Sequence, residues 1–144
     1  MNGMTLIVKT VTRIMLDFIV VFAAALTLYG HVTPGGGFAG GSVLACGLIL
    51  VLLAYGRRET YRRFPLERAS AWDATGALMF LAIALAGLGA GTFFRNFLAK
   101  GRTFRVLSAG TILWSNIAIF LKVGACLFLV YAVLVAFQPT DEEE

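Results

Sequence analysis

Four long apolar runs, separated by short polar segments, dominate the pattern of hydrophobic and polar positions along this chain. They lie near residues 11–30, 37–56, 71–94 and 113–137. Each run reaches the roughly 20 apolar residues that an α-helix needs to cross the hydrocarbon core of a bilayer. The pattern therefore predicts an all-α membrane protein with about four transmembrane helices, in which residues 1–144 form a single polytopic membrane domain.

Composition and charge agree with this class and suggest an orientation. Apolar residues make up 59% of the chain, whereas soluble domains contain about 45–50%. Seven basic residues lie before or at the start of the first run, or between the second and third runs, and four lie between the third and fourth. The positive-inside rule then favours a cytoplasmic position for both termini. No basic patch is interleaved with exposed aromatic residues, so a nucleic-acid partner is excluded.

The segment between the first two runs is rich in proline and glycine. Proline fixes its own φ and disfavours helix at the residue before it, while consecutive glycines permit positive φ. One interpretation is a helix hairpin packed closely on its neighbours; the other is backbone exposed to a polar pathway or a partner protein. In either case we expect a tight turn formed by Thr33, Pro34, Gly35, Gly36, Gly37 and Phe38.

Lys122 is the first candidate for chemistry, because it lies about nine residues into the fourth run, near the middle of the bilayer. A lysine at that depth is costly and should face protein or water. Helical spacing puts it on one face with Thr111, Ser115 and Cys126. It is either a structural lysine that donates to backbone carbonyls or a charge in, or beside, a proton or cation route.

Asp17 and His31 are the other ionisable candidates within or beside the runs. Asp17 follows Arg13 by four residues, so the two can pair along one helix face. Alternatively, Asp17 faces Lys122 or another protein chain. His31, the only histidine, ends the first run and is either a donor to backbone carbonyls or a proton relay, since histidine titrates near neutral pH.

Other patterns have structural interpretations. Ser70 and Asp73 have the spacing of a capping box at the start of the third helix. Small residues at four-residue intervals predict close helix packing without identifying the partner. They are Gly37, Gly41 and Ala45 in the second run and Ala82, Ala86 and Ala90 in the third.

Metal, nucleotide and covalent chemistry find no support in the sequence. Residues 35–40 fit G-x-G-x-x-G, but a membrane helix precedes them where a nucleotide fold needs a strand. Cys46 and Cys126 lie inside runs without a metal-ligand spacing. We therefore predict no cofactor, no metal site and no enzyme active site.

Two stretches resemble a known family. Residues 9–13 and 29–41 near the start, and 108–111, 116–117 and 121–125 near the end, are similar to the MnhB-like members of Mrp-type multisubunit cation/proton antiporters. The resemblance implies a small subunit of a hetero-oligomeric complex in the plasma membrane that exchanges Na⁺, or another monovalent cation, for H⁺. It also implies that the chain assists ion movement and assembly through the predicted turn and Lys122.

The sequence leaves other hypotheses open. The same kind of module could serve a membrane-bound hydrogenase or a related redox-driven ion pump. An interpretation from a different class is a stand-alone small transporter or a quinone-binding membrane enzyme. A haem-bearing quinone enzyme needs paired histidines within its spans, and the chain has one histidine.

Overall fold

The computed structural model describes residues 4–89, 91–96, 98 and 109–137. The helices of these residues are α1 (Leu6–Leu28), α2 (Gly37–Tyr55), α3 (Arg57–Arg63), α4 (Leu66–Gly89) and α5 (Thr111–Ala136). Four of them, all except the short α3, are long and apolar enough to cross a membrane. The predicted all-α class with four membrane helices is confirmed, and the chain is a multi-pass membrane protein.

Helix α5 lies at the centre of the bundle. It packs against α2 on one side and α4 on the other, whereas α1 packs mainly on α2 and touches α5 little. The four membrane helices therefore follow one another in the spatial order α4, α5, α2, α1. Side chains of α4 and α5 consequently meet directly, and those of α1 and α4 do not.

The small residues of α2 explain its position between α1 and α5. A Cβ atom on Gly41 would stand 2.9 Å from the carbonyl oxygen of Phe120 in α5, and one on Gly47 would stand 2.9 Å from Cγ2 of Ile19 in α1. Close approach of backbones is what small residues permit in lipid, where the hydrophobic effect gives helices no reason to associate. All three members of the predicted α2 stripe are buried within this chain: Gly37, Gly41 and Ala45.

The predicted stripe of α4 behaves differently. Ala82 and Ala86 are exposed, and Ala90 lies outside the described residues. The small residues that α4 buries are instead Ala69, Gly76, Ala84 and Gly87. The four-residue repeat of alanines therefore does not lie on the face that α4 buries within this chain, and its packing on another chain stays a prediction.

The start of α4 also differs from the prediction. The helix begins at Leu66, immediately after Pro65 and five residues before the predicted start of the third span. Proline is favoured at a helix start, and Glu67 in the first turn suits the positive end of the helix dipole. Ser70 and Asp73 therefore lie inside the helix, and the predicted capping box does not exist.

A small apolar cluster holds the ends of three helices together. Leu52 of α2, Ala69 of α4, and Phe128 and Ala132 of α5 are almost completely buried against one another. Phe64, between α3 and α4, makes edge-to-face ring contacts with Trp72 and Phe128. The ring centroids are 5.2 Å apart for Trp72 and 5.7 Å apart for Phe128. This cluster fixes the basic link between α2 and α4 against the end of the bundle.

Candidate functional site

An ion pair joins α4 to α5 within the membrane-spanning region. Nζ of Lys122 donates a hydrogen bond to Oδ1 of Asp73 at 2.9 Å. Gly76, one turn after Asp73, makes this possible because α4 and α5 touch there through backbone. A Cβ on Gly76 would stand 2.7 Å from the carbonyl oxygen of Ala118 and 2.8 Å from the backbone nitrogen of Lys122.

Lys122 lies near the middle of α5, whereas Asp73 lies closer to the start of α4. At 1.5 Å per residue, Lys122 is about 17 Å along α5 from Thr111 and about 21 Å from Ala136. Asp73 is about 10 Å from the start of α4 at Leu66. A lone charge at such depth costs at least a few kcal/mol, and a neighbouring opposite charge reduces that cost.

Neither member of the pair is enclosed by this chain. The Lys122 side chain is 46% exposed and the Asp73 side chain 33% exposed. In a membrane that exposed surface would meet hydrocarbon unless water or another protein covered it. An ion pair that is partly open in this way can donate or accept a proton. Its carboxylate can also bind a monovalent cation in place of the lysine ammonium group.

The sequence did not predict that Asp73 pairs with Lys122. The predicted span began at residue 71, which put Asp73 in the first turn and suggested a capping role. With α4 starting at Leu66, the same residue stands two turns inside the helix. The usable signal was Pro65, because a helix start directly after this proline would have put the carboxylate at membrane depth.

The polar residues predicted to share the Lys122 face lie toward the start of α5. The Ser115 hydroxyl donates to the carbonyl oxygen of Thr111 at 3.0 Å. The Thr111 backbone N–H donates to Oδ1 of Asn96 at 3.1 Å, which ties the segment after α4 to the first turn of α5. These bonds run toward the start of α5 and away from Lys122, and a role of Ser115 and Thr111 in an ion route stays a prediction.

Asp17 lies in a different place from Lys122. With Arg13, it lines a cavity of about 320 Å³ between α1, α2 and α3, whose other walls include Tyr55 and Arg63. Across the described residues, no ion pair joins Arg13 to Asp17. The structure thus brings Lys122 together with Asp73, and it brings Asp17 into one cavity with Arg13 of α1 and with Glu59 and Arg63 of α3.

The Pro/Gly-rich segment connects α1 to α2 through residues 29–36. The Gly36 N–H donates to the carbonyl oxygen of Leu26 at 3.0 Å, and Gly36 has a φ of +121° that other residues rarely adopt. Gly37 begins α2 against α5, with no room for a Cβ beside the carbonyl oxygen of Asn116. Phe38 is 68% exposed.

His31 lies in this turn, half-buried, near the end of α1. The turn is further held by Thr33, whose hydroxyl donates to the carbonyl oxygen of Tyr29 at 3.1 Å. Asp17 lies at the middle of α1, about 17 Å along the helix axis from its last residue, Leu28, and His31 lies beyond that end. The structure does not bring His31 to the Lys122–Asp73 pair.

Comparisons with known proteins agree with this architecture. Residues 7–129 match the family model described as a domain related to the MnhB subunit of Na⁺/H⁺ antiporter. The corresponding B-type component of the Na⁺/H⁺ antiporter of Bacillus subtilis is 31% identical over 140 residues, which cover 96% of this chain and 94% of that protein.

Two archaeal proteins are also similar. An uncharacterised protein of Methanocaldococcus jannaschii is 35% identical over 128 residues, covering 84% of this chain and 48% of its own length. A chain of the membrane-bound sulfane sulfur reductase, an archaeal respiratory membrane complex, matches with a TM-score of 0.76 and 27% identity, covering 90% of this chain and 57% of that one. This chain therefore spans about half the length of both. The extent of the family match shows that the chain belongs to the MnhB-related family of Na⁺/H⁺ antiporter subunit domains.

Proposed function

We propose that this chain is a small integral-membrane subunit of a multisubunit antiporter that exchanges a monovalent cation for H⁺. The cation we propose is Na⁺. The observation that carries the proposal is the half-exposed Lys122–Asp73 pair at membrane depth. Such a pair has a high free-energy cost in hydrocarbon unless water or another protein covers it. Either surrounding is expected for a component of an ion-translocating complex.

The pair has the chemistry that ion coupling requires. When Lys122 bonds to Asp73, the two charges neutralise each other and the site excludes other cations. When the pair opens, the carboxylate becomes available to a monovalent cation and the lysine to proton exchange. We infer that Lys122 and Asp73 lie in or beside the ion route, with Ser115 and Thr111 as polar groups along the same helix.

The proposal includes partners, orientation and location. The partners are other membrane subunits of the complex, as the names of the similar proteins suggest for those proteins. The chain is proposed to cross the plasma membrane four times, with both termini in the cytoplasm. This orientation puts the basic link around α3 on the cytoplasmic side, as the positive-inside rule favours. Asp17, at the middle of α1, and His31, just beyond its last residue, remain proposed ion-pathway or interface residues.

A second candidate function follows from the structural neighbour. The sulfane sulfur reductase complex is respiratory, so the same kind of module can be used where electron transfer is coupled to ion movement. In that case the chain would assist ion movement in a redox-driven pump. It would still be a transport subunit, with the reductase or hydrogenase chemistry in other subunits.

Two measurements test the proposal. Everted membrane vesicles of a strain lacking this chain should regain Na⁺-dependent dissipation of a pH gradient when the wild-type chain is restored. Lys122→Ala should leave the complex assembled and lower this exchange, or shift its pH optimum. Wild-type exchange across the pH range would contradict a role in the ion route. Co-purification in mild detergent of redox subunits in place of antiporter subunits would favour the second candidate.

A further inference from the structure

The cavity between α1, α2 and α3 combines a charged rim with an apolar wall. Its volume is about 320 Å³. The apolar wall is formed by Leu16 of α1, Leu48 and Val51 of α2, and Phe64. The rim carries the guanidinium groups of Arg13 and Arg63. The cavity lining includes neither Lys122 nor Asp73, which lie on α5 and α4.

The cavity lies at the membrane–water boundary. Met4 donates its backbone N–H to the carbonyl oxygen of Ala54 at 2.9 Å, so the start of α1 and the end of α2 are at the same level. The Tyr55 hydroxyl donates to the carbonyl oxygen of Lys9 at 3.0 Å. Tyrosine is typical of the headgroup level of a bilayer, and the apolar wall extends from there toward the hydrocarbon.

The cavity is lined by two arginines, Arg13 and Arg63, and two carboxylates, Asp17 and Glu59, and Lys9 lies beside it. Nζ of Lys9 lies 6.0 Å, and Cζ of Arg63 5.7 Å, from the centre of the Tyr55 ring, so two cations converge there. Arg63 uses its Nε to bond Glu59 at 2.8 Å, which leaves its two terminal nitrogens for another acceptor. Within the described residues neither Lys9 nor Arg13 makes an ion pair with a carboxylate. With Lys9 counted, the cations at this end of the cavity outnumber the carboxylates by three to two.

We propose that this cavity binds one anionic phospholipid, with its phosphodiester on Arg13 and Arg63 and one acyl chain along the wall of Leu16, Leu48 and Val51. Arginine suits a phosphate because its planar guanidinium presents several donors in a fixed fork. A free phosphate would use the rim and leave the apolar wall empty, so a lipid fits the whole cavity.

The apolar wall of the cavity is formed by a few residues of two neighbouring helices, Leu16 of α1 and Leu48 and Val51 of α2. A single acyl chain is narrower than a helix and can follow the groove between α1 and α2. The proposal goes beyond the antiport function and does not depend on it.

The test is binding of phosphatidylglycerol to the full chain, purified in a neutral detergent and measured by native mass spectrometry with a titration of added lipid. The wild type should retain one phosphatidylglycerol per chain in preference to phosphatidylcholine. Arg13→Gln combined with Arg63→Gln should weaken this binding roughly tenfold or more, because charge-assisted hydrogen bonds to the phosphate are lost. The matched control is Arg58→Gln combined with Arg68→Gln, two exposed arginines of the same basic link that do not line the cavity.

A second variant tests the acyl-chain wall without changing charge. Val51→Trp fills the cavity and should also abolish retention, while a circular dichroism spectrum like that of the wild type establishes that the helices are intact. Equal weakening by the control pair would overturn the proposal in favour of diffuse surface charge. Equal binding of phosphatidylcholine, or full competition by inorganic phosphate or soluble glycerophosphoglycerol, would overturn it as well. Unchanged retention in both the double arginine variant and Val51→Trp would assign the lipid to another surface.

Discussion

Gly76 of α4 packs closely on the backbone of Lys122 in α5. A Cβ atom on Gly76 would stand 2.8 Å from the backbone nitrogen of Lys122. This contact sets the register in which Asp73, one turn away, reaches the Lys122 side chain. A residue without a side chain therefore determines whether the ion pair can form. The first prediction follows from this dependence.

Gly76→Ala should separate α4 from α5 and destabilise the chain by about 1–3 kcal/mol, the usual cost of overpacking a close contact. The measurement is the unfolding midpoint of the purified chain. Gly89→Ala is the control, because nothing lies within 4 Å of a Cβ at that position of the same helix. Destabilisation of similar size in both variants would mean that Gly76 has no special packing role.

The same contact explains what the sequence could and could not predict. The four spans were predictable because apolar length is a local property of each segment. The ion pair was not, since it depends on the register of α4 against α5, which Gly76 fixes through tertiary packing. The turn was partly predictable: three consecutive glycines indicated positive φ, and the structure assigns it to Gly36.

Gly36→Ala should cost of order 1–3 kcal/mol, because its backbone, with φ +121° and ψ −177°, lies in a region that only glycine adopts readily. The effect should appear as reduced assembly with partner proteins before membrane insertion is affected, since the turn positions α2 against α5. Immunoblots of membranes and of the detergent-purified complex measure the two steps separately. Normal assembly and stability of Gly36→Ala would mean that the turn tolerates another conformation.

The exposed pair of Glu59 and Arg63 in α3 should give the chain a measurable pH dependence. The hydrogen bond and charge of Arg63 hold the pKa of the Glu59 carboxyl below its ordinary value of 4.5, with Arg62 and Lys9 acting in the same direction. A carboxyl whose pKa is lowered by folding contributes stability above its unfolded pKa and loses it as the pH falls through the folded pKa.

Glu59→Gln should therefore unfold more easily than the wild type at neutral pH, and the difference should vanish in acid below pH 4.5. Thermal unfolding of the wild type and the variant at a series of pH values measures this. The effect should be small, because both side chains are exposed. A difference that grew as the pH fell would contradict the assignment.

The two free cysteines report where water reaches the membrane helices. Cys126 lies one turn after Lys122 on α5 and is half-buried, whereas Cys46 lies on the exposed surface of α2. If water covers the Lys122 face, single-cysteine variants should react with a small charged thiol reagent at Cys126 far faster than at Cys46, because the thiolate forms only in water. Faster labelling of Cys46 would indicate that the Lys122 face is dry.

The ion pair itself is best tested by removing and reversing its charges. Asp73→Asn leaves Lys122 without its carboxylate in the membrane. This should be more damaging than Lys122→Ala combined with Asp73→Ala, since a lone charge within a membrane span is costly. Lys122→Arg should restore Na⁺-dependent proton exchange only in part, because guanidinium stays charged and cannot take up and release a proton.

The charge reversal, Asp73→Lys combined with Lys122→Asp, separates the two roles that the pair can have. If the pair only joins α4 to α5, the reversed pair should restore both complex assembly and exchange in everted vesicles. If Lys122 and Asp73 serve an ion route, assembly should return while exchange stays low, because the carboxylate and the amine have changed places along it. Full recovery of exchange would remove the pair from the ion route and leave it as a contact between helices.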